Sequence, residues 1–405
     1  MELFFPLVLD GANGTELQKR GYDGSKCAEA WVLEHPDVMI GLQKEYVDAG
    51  SDVVYAPTFG ANRIKLEENG IFNQVAQFNK ELVGICRKAA GDKALVAGDI
   101  ATTGKFLEPV GDMTFDELYD IYHEQAEALE EAGVDMYVIE TIMTVPDARA
   151  ALLAVRDVSD KPVLVSFTCD ENGRTLTGTD VCAALVIMQG MEIDAFGLNC
   201  STGPDEMLTQ FRRLREFAEV PLAVKPNAGL PQTVDGKTVY TLSPEDFVKH
   251  TSEFNEAGAA MFGGCCGTGP DHIRTIRESL SGFELRKPEP QHRDQIVCAT
   301  EKDVFILDGG ITAETVLSCG QELETEIKKA NRSEDKVIAV EITKASDLDD
   351  FGMAQYAVRK PLCIVCEDAK LLEQALMLYQ GRAMYAGTLS TGQLMPLVRK
   401  YGLII

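Results

Sequence analysis

From residue 4 to residue 265, short apolar runs alternate with longer stretches in which apolar positions return every three to four residues. The runs occupy residues 4–10, 52–58, 94–100, 136–141, 163–168, 195–200, 222–227 and 259–265. A short apolar run bounded by turn residues suits a strand buried on both faces, and the period between runs is that of amphipathic helices. The stretch "TFDELYDIYHEQAEALEEAG" at 114–133 shows the second pattern, with Thr114 and Glu117 as a capping box and Gly133 as its stop. Eight strands, each followed by a helix, predict a (β/α)8 TIM barrel over residues 1–285. A doubly wound open sheet also holds eight strands, but no G-x-G-x-x-G follows an early strand. The charged, proline-containing "FELRKPEPQHRDQ" then marks a linker at 286–296. Residues 297–405 carry four more strand-like runs, "DVFILDGG", "KVIAVEIT", "PLCIVCE" and "RAMYAGTL", each with a helical pattern behind it. They predict a second, smaller α/β domain, either half a barrel or a small sheet.

Composition narrows the partners. The 405 residues carry 64 acidic and 38 basic side chains, a formal net charge of −26, which argues against nucleic acid or an anionic membrane as partner. No charged and apolar leader opens the chain, and no apolar run reaches the ~20 residues that span a bilayer. A cytoplasmic protein is expected. In such a compartment the 11 cysteines are not read as disulfides. Cys27, Cys86, Cys169, Cys182, Cys298 and Cys319 stand alone and read as small buried hydrophobes or inert thiols. Cys363 and Cys366 form a C-x-x-C, but on a strand residues three apart face opposite ways and do not readily share an ion.

The chemistry gathers where the strands end, since barrel active sites lie at the C-terminal ends of the strands. The polar residues there are Asp10, Thr58, Asp99, Glu140, Thr168, Asn199 with Cys200, Asn227, and Cys265 with Cys266. The adjacent thiols of "MFGGCCGTGP" suit metal ligation better than a strained vicinal disulfide or a nucleophile, which needs no twin. Cys200 ends the sixth strand, and the sixth and eighth strands flank the seventh, so the three thiols converge. Three thiolates with an open fourth position match catalytic zinc. Glycines 263 and 264 let the backbone crowd such a site, and 267 and 269 permit a tight return. Spacing alone leaves zinc and plain buried cysteines both open. Zinc on three thiolates would hold a substrate thiol as thiolate, and the reaction class this suggests is alkyl transfer to sulfur.

Seven blocks then resemble a known family. They are "LVLDGANGTELQKRG", "APTFGANRIKL", "GDIATTGKFLEPVGDMTFDELYDIYHEQAEAL", "IETIMTVPDARAAL", "GLNCSTGP", "VKPNAGLP" and "GGCCGT". Together, and in this order, they resemble the zinc-dependent homocysteine S-methyltransferases, specifically the homocysteine-binding module of the cobalamin-dependent methionine synthases. The resemblance implies that Cys200, Cys265 and Cys266 ligate Zn2+, with Asn227 able to take the metal's fourth position. It implies that Asp10 and Glu140 grip the amino group of homocysteine and that the backbone of Gly11 and Ala12 binds its carboxylate. Two carboxylates at neighbouring barrel mouths do suit an ammonium. The implied reaction is attack of a zinc-bound thiolate on an activated methyl group, giving methionine.

The tail resembles a shortened folate barrel that departs from its pattern. Val365 stands where that barrel carries a pterin-binding Asp, and Ala386 and Gly387 stand where it carries an Asn-Ser pair. This argues against folate binding, and no D-x-H-x-x-G marks a cobalamin module. Cobalamin is therefore expected only in trans, on a corrinoid-carrying partner. The rival expectations are S-methylmethionine or S-adenosylmethionine as donor, another thiol or a selenol as acceptor, and a non-catalytic thiol-binding subunit of a larger synthase.

Overall fold

A computed structural model of the chain describes residues 3–108, 110–234, 237–309 and 315–405, with the backbone alone for Lys237. The chain divides into two compact units, one of Met1–Leu176, Asp194–Arg215 and Val220–Pro288, the other of Thr177–Ile193, Glu216–Glu219 and Glu289–Ile405.

The first unit carries β1 (Leu7–Val8), β2 (Val53–Tyr55), β3 (Leu95–Ile100), β4 (Met136–Ile142), β5 (Val163–Phe167), β6 (Ala195–Asn199) and β7 (Leu222–Lys225). A hairpin of β8 (Gln232–Val234) and β9 (Lys237–Val239) follows, and β10 (Ala259–Phe262) completes the set. Strands β1 to β7 and β10 form one eight-stranded parallel sheet in the order β1-β10-β7-β6-β5-β4-β3-β2. This is the expected TIM barrel. Its seam lies between β1 and β2, which share no strand ladder. Instead Asp52 N–H donates to Val8 O at 2.7 Å, and two carboxylates stand in for backbone acceptors. Asp52 Oδ2 accepts from Val8 N–H and Asp10 Oδ2 from Tyr55 N–H, both at 2.8 Å. The helix over Phe115–Ala132 has the expected ends. Thr114 and Glu117 cap each other's backbone N–H, and Gly133 closes the helix at φ +78°, a conformation that suits glycine.

Inside the barrel the lower layers are apolar. Leu7, Leu9, Val53, Tyr55, Ala97, Met136, Val138, Leu164, Ala195, Ala223 and Met261 form one buried cluster. Side chains alternate along a strand, so the next inward positions after Ala97, Val138 and Ala223 are Asp99, Glu140 and Lys225. The top layer of the barrel is thus charged.

The second unit holds a four-stranded parallel sheet in chain order, β13 (Val316–Ser318), β14 (Ile338–Ile342), β15 (Leu362–Cys366) and β16 (Met384–Ala386). A helix follows each strand, at Leu323–Ala330, Ser346–Ala354, Ala369–Leu378 and Thr391–Tyr401. Val337, Ala339, Cys363 and Met384 form its core. The expectation for "DVFILDGG" needs correction. Its strand, β12 (Val304–Leu307), pairs antiparallel with β11 (Ile296–Ala299) and takes no part in the parallel sheet. Two β-prone runs separated by four residues make a hairpin, and Thr300 fixes the turn by accepting from Lys302 and Asp303 N–H. Gly310 at the end of that run lies outside the described residues. Among the described residues no helix is long and apolar enough to cross a membrane.

Candidate active site

Strand β6 delivers Cys200 through a strained turn. Cys200 and Ser201 both sit at positive φ, +61° and +60°, where side-chain-bearing residues cost of order 1–3 kcal/mol. After β10 the chain passes Gly263 and Gly264 before Cys265 and Cys266. A Cβ on Gly263 would stand 2.8 Å from Leu9 Cβ and 2.9 Å from Asp10 O, so only glycine allows this approach. The loop is then stitched to β1 and to the end of β7. Gly264 N–H donates to Asp10 O at 3.1 Å, Cys265 N–H to Pro226 O at 2.8 Å, and Ala228 N–H to Cys266 O at 2.9 Å. Cys200 N–H donates to Lys225 O at 3.1 Å, so one segment, residues 225–228, holds all three cysteine backbones.

As a result the three sulfurs lie within 4.8 Å of one another, with Cys200 and Cys266 Sγ 3.9 Å apart. Three thiols this close cannot all ionise without a cation. The neighbouring thiols of Cys200 and Cys265 pull Cys266 down to about 3, and the Tyr240 hydroxyl adds to this. Sharing protons with Cys200 and Cys266 pushes Cys265 well up. Cys200 also ends raised: its bond with Cys265 lowers it, but its bond with Cys266 and its burial outweigh that. The three sulfurs stand in a geometry able to take a metal ion. Asn227 lies between Pro226 and Ala228, whose backbones bond Cys265 and Cys266, and its Oδ1 is buried with no hydrogen-bond partner.

Lys225, on the inward face of β7, joins this cluster to the carboxylates. Its Nζ is 3.0 Å from Asp10 Oδ1, 3.8 Å from Glu140 Oε2, and 3.5 Å above the centroid of the Tyr55 ring. Burial raises the Asp10, Glu140 and Asp99 carboxyls, Asp99 furthest because Glu140 adds to it. Burial would lower Lys225, but Asp10, Tyr55 and Glu140 outweigh it and hold the ammonium charged. Glu140 Oε2 and Asp99 Oδ1 are buried and accept no hydrogen bond.

The structure thus brings Asp10, Glu140, Asn227, Cys200, Cys265 and Cys266 to one end of one barrel. Asp10 is wholly buried and spends one oxygen on Tyr55 N–H and the other on Lys225. Ala12 N–H is spent on Thr268, 3.2 Å to Oγ1, and a side chain on Gly11 would meet the Tyr46 ring at 2.8 Å. Sequence reasoning missed Lys225 and the work of Asn199. The Asn199 side chain accepts from Thr141 N–H and Ser166 Oγ–H, donates to Thr141 Oγ1, and lies 3.9 Å from Cys265 Sγ. It fixes the irregular turn of β4 that carries Glu140, where Thr141 has φ +55°. The sequence did signal Lys225: in "LAVK" it continues the inward parity of Ala223, an odd place for a lysine. Cys363 and Cys366 face apart as expected. Cys363 lies in the core, its thiol pushed up to about 11 by burial, and Cys366 Sγ–H donates to Asp368 O.

Residues 7–280 match the family described as homocysteine S-methyltransferase. The methionine synthase of Mycobacterium leprae is 32% identical to the chain over 295 residues, covering 68% of this chain and 24% of that protein. The methionine synthase of Mycobacterium tuberculosis is 32% identical over 305 residues, covering 70% and 25%. The chain therefore spans about a quarter of the length of these curated relatives. Among solved structures, the metallated form of the homocysteine methyltransferase MmuM from Escherichia coli aligns with a TM-score of 0.57 at 22% identity. That alignment covers 67% of this chain and 95% of MmuM, and it supports the barrel fold.

Proposed function

We propose, from the premise that this chain belongs to the homocysteine S-methyltransferase family, that it methylates homocysteine to methionine on a zinc site held by Cys200, Cys265 and Cys266. The observation that carries this reading is the convergence of three sulfurs, their backbones held by the segment that carries Asn227, whose Oδ1 is buried and unpartnered. The donor set fits zinc. Two sulfurs on one tetrahedral ion with bonds of about 2.3 Å stand about 3.8 Å apart, and Cys200 and Cys266 are 3.9 Å apart. Asn227 Oδ1 is the oxygen that would fill the fourth position when no thiol does. Zinc bound there would keep a substrate thiol ionised at neutral pH.

The chain's own residues bind and orient. Glu140 Oε2 offers an unused acceptor to the amino group of homocysteine, and Asp10 stands behind it through Lys225. The backbone at Gly11 is the proposed contact for the carboxylate. The sulfur of homocysteine takes the methyl carbon, the new S–C bond forms, and the electron pair of the broken bond leaves with the donor. The proposed donor is a methylcorrinoid on a separate protein. Residues 297–405 are proposed as a shortened folate-barrel relative joined to the 1–285 barrel by the 286–296 linker, without folate binding.

The test is methionine formation by the zinc-loaded full chain, with homocysteine and in turn methylcobalamin, S-methylmethionine and S-adenosylmethionine. Methionine from methylcobalamin is the expected result. Turnover with S-methylmethionine alone would overturn the donor, and no turnover with any donor would overturn the transfer.

A further inference from the structure

The carboxylate pair expected to receive the substrate's amino group already faces an ammonium of the protein itself. Lys225 Nζ lies 3.0 Å from Asp10 Oδ1 and 3.8 Å from Glu140 Oε2. Its remaining side is taken by the face of Tyr55, 3.5 Å to the centroid. Lysine is seldom buried unless paired, yet Lys225 is 5% exposed, and its stem passes close over Gly263, where a Cβ would stand 3.1 Å from Lys225 Cγ. It has little room to swing away. Asp10, with no exposed surface and both oxygens engaged, does not reach the pocket directly. Glu140 keeps a free acceptor, because its Oε2 is buried, lacks a hydrogen-bond partner, and stands beyond hydrogen-bond distance of Nζ. Two acidic side chains in a dry layer need a fixed positive charge to remain a charged pair, and Lys225 is the side chain seen contacting both.

We propose that Lys225 is a positioning residue for the amino group of the thiol substrate: it links Asp10 and Glu140 into one charged unit, leaves Glu140 Oε2 as the open acceptor, and so sets a preference for thiols that carry an α-ammonium. This rests on the thiol-binding role proposed above. Without Lys225, the pair faces an uncompensated charge in the barrel and no longer presents a stable acceptor, so an amino-bearing and an amino-free thiol bind alike.

The experiment is calorimetric titration of the zinc-loaded full chain with homocysteine and with 4-mercaptobutanoate, which is homocysteine without its amino group. Zinc content is measured on the same samples. The native chain is expected to bind homocysteine at least tenfold more tightly. In Lys225→Met, with one zinc still bound, that preference is expected to fall below threefold, and added ethylammonium is expected to restore part of it in Lys225→Ala. A purely structural lysine would weaken both thiols together and leave their ratio unchanged. A preference still above tenfold in Lys225→Met overturns the proposal. If that variant is insoluble, Lys225→Gln, which keeps a donor for Asp10 without the charge, decides by the same ratio. Failure of the native chain to bind either thiol would instead overturn the thiol-binding reading, so the two failures are distinct.

Discussion

The Asp10–Lys225 pair gives the sharpest quantitative prediction. Asp10→Asn keeps the shape and an acceptor for Tyr55 N–H but strands the ammonium of Lys225 in the barrel, with Glu140 at 3.8 Å. Removing one partner of a buried pair costs about 3–5 kcal/mol. The cost has a ceiling, because Lys225 can shed its proton, which at pH 7 costs about 4.6 kcal/mol from a solution pKa near 10.4. Glu140 recovers part of it, so about 3 kcal/mol is expected. Lys225→Met strands Asp10 in the same way, with a ceiling of about 4.2 kcal/mol for protonating a carboxyl of solution pKa near 3.9. The double variant holds neither charge, so its loss is expected to be about the size of either single loss, well short of their sum.

The assay is urea unfolding followed by the chain's one tryptophan, Trp31, which is buried in the first unit and reports that unit. Metal content must be held fixed, since a ligand that binds only the folded state adds stability. The pH sign is also determined. In Asp10→Asn the folded-state pKa of Lys225 falls below its solution value, so the unfolded chain binds more protons and the deficit shrinks from pH 7 to pH 9. In the native chain Lys225 is raised, so its contribution is fully present up to the unfolded pKa and adds no slope in that window. A deficit below about 1 kcal/mol in Asp10→Asn, or strictly additive losses in the cycle, would refute the pairing.

Two further outcomes follow from the thiol loop. Zinc loading at pH 7 is expected to release about two protons per ion, because Cys266 is pulled down by its neighbours while Cys200 and Cys265 are raised; calorimetry in buffers of different ionisation enthalpy counts them, and three or none would contradict this ordering. Gly264→Ala puts a Cβ 2.4 Å from Thr268 Oγ1, the hydroxyl that donates to Cys265 O and accepts from Ala12 N–H, so zinc should bind at least tenfold more weakly by chelator competition. The same change is expected to cost about 1–3 kcal/mol in stability, whereas Gly84→Ala, mid-helix with open space around it, should leave zinc binding unchanged and raise the thermal midpoint.

The barrel was legible because its strands are buried on both faces and read as plain apolar runs, and because "TFDEL" and Gly133 carry their helix ends in the side chains. The site's thiols were legible because two adjacent cysteines between glycines have few other uses. What was not legible depended on pairing across the chain. The hairpin of β11 and β12 was hidden because "DVFIL" reads equally well as the first half of a βα unit, and only its partner at 296–299 decides. Lys225 carried only its inward parity as a signal, because a single lysine after "LAV" also looks like a strand end in solvent until the barrel closes and places Asp10, Glu140 and Tyr55 around it. Asn199 was hidden for a similar reason, since its partners Thr141, Ser166 and Cys265 come from three other strands or loops.

The two halves of the site are each left short of positive charge, and this links them. Three sulfurs within 4.8 Å of one another favour a soft cation and disfavour more than one thiolate without it. Above the apolar core, Asp10, Asp99 and Glu140 face one ammonium. Burial and Glu140 raise Asp99 well above its ordinary value, and Asp10 and Glu140 are the two carboxylates that contact Lys225. One more positive charge beside Glu140 would complete that balance. In the proposed reading a zwitterionic thiol would supply it, presenting an ammonium to the carboxylates and a sulfur to the thiol loop. A ligand with the sulfur alone leaves the buried carboxylate unmatched, and a ligand with the ammonium alone leaves the sulfur site unused. Lys225 touches both halves, since its backbone carbonyl accepts from Cys200 N–H while its ammonium holds Asp10. One residue of β7 thus ties the proposed amino-group site to the thiol loop, by its side chain on one side and its backbone on the other.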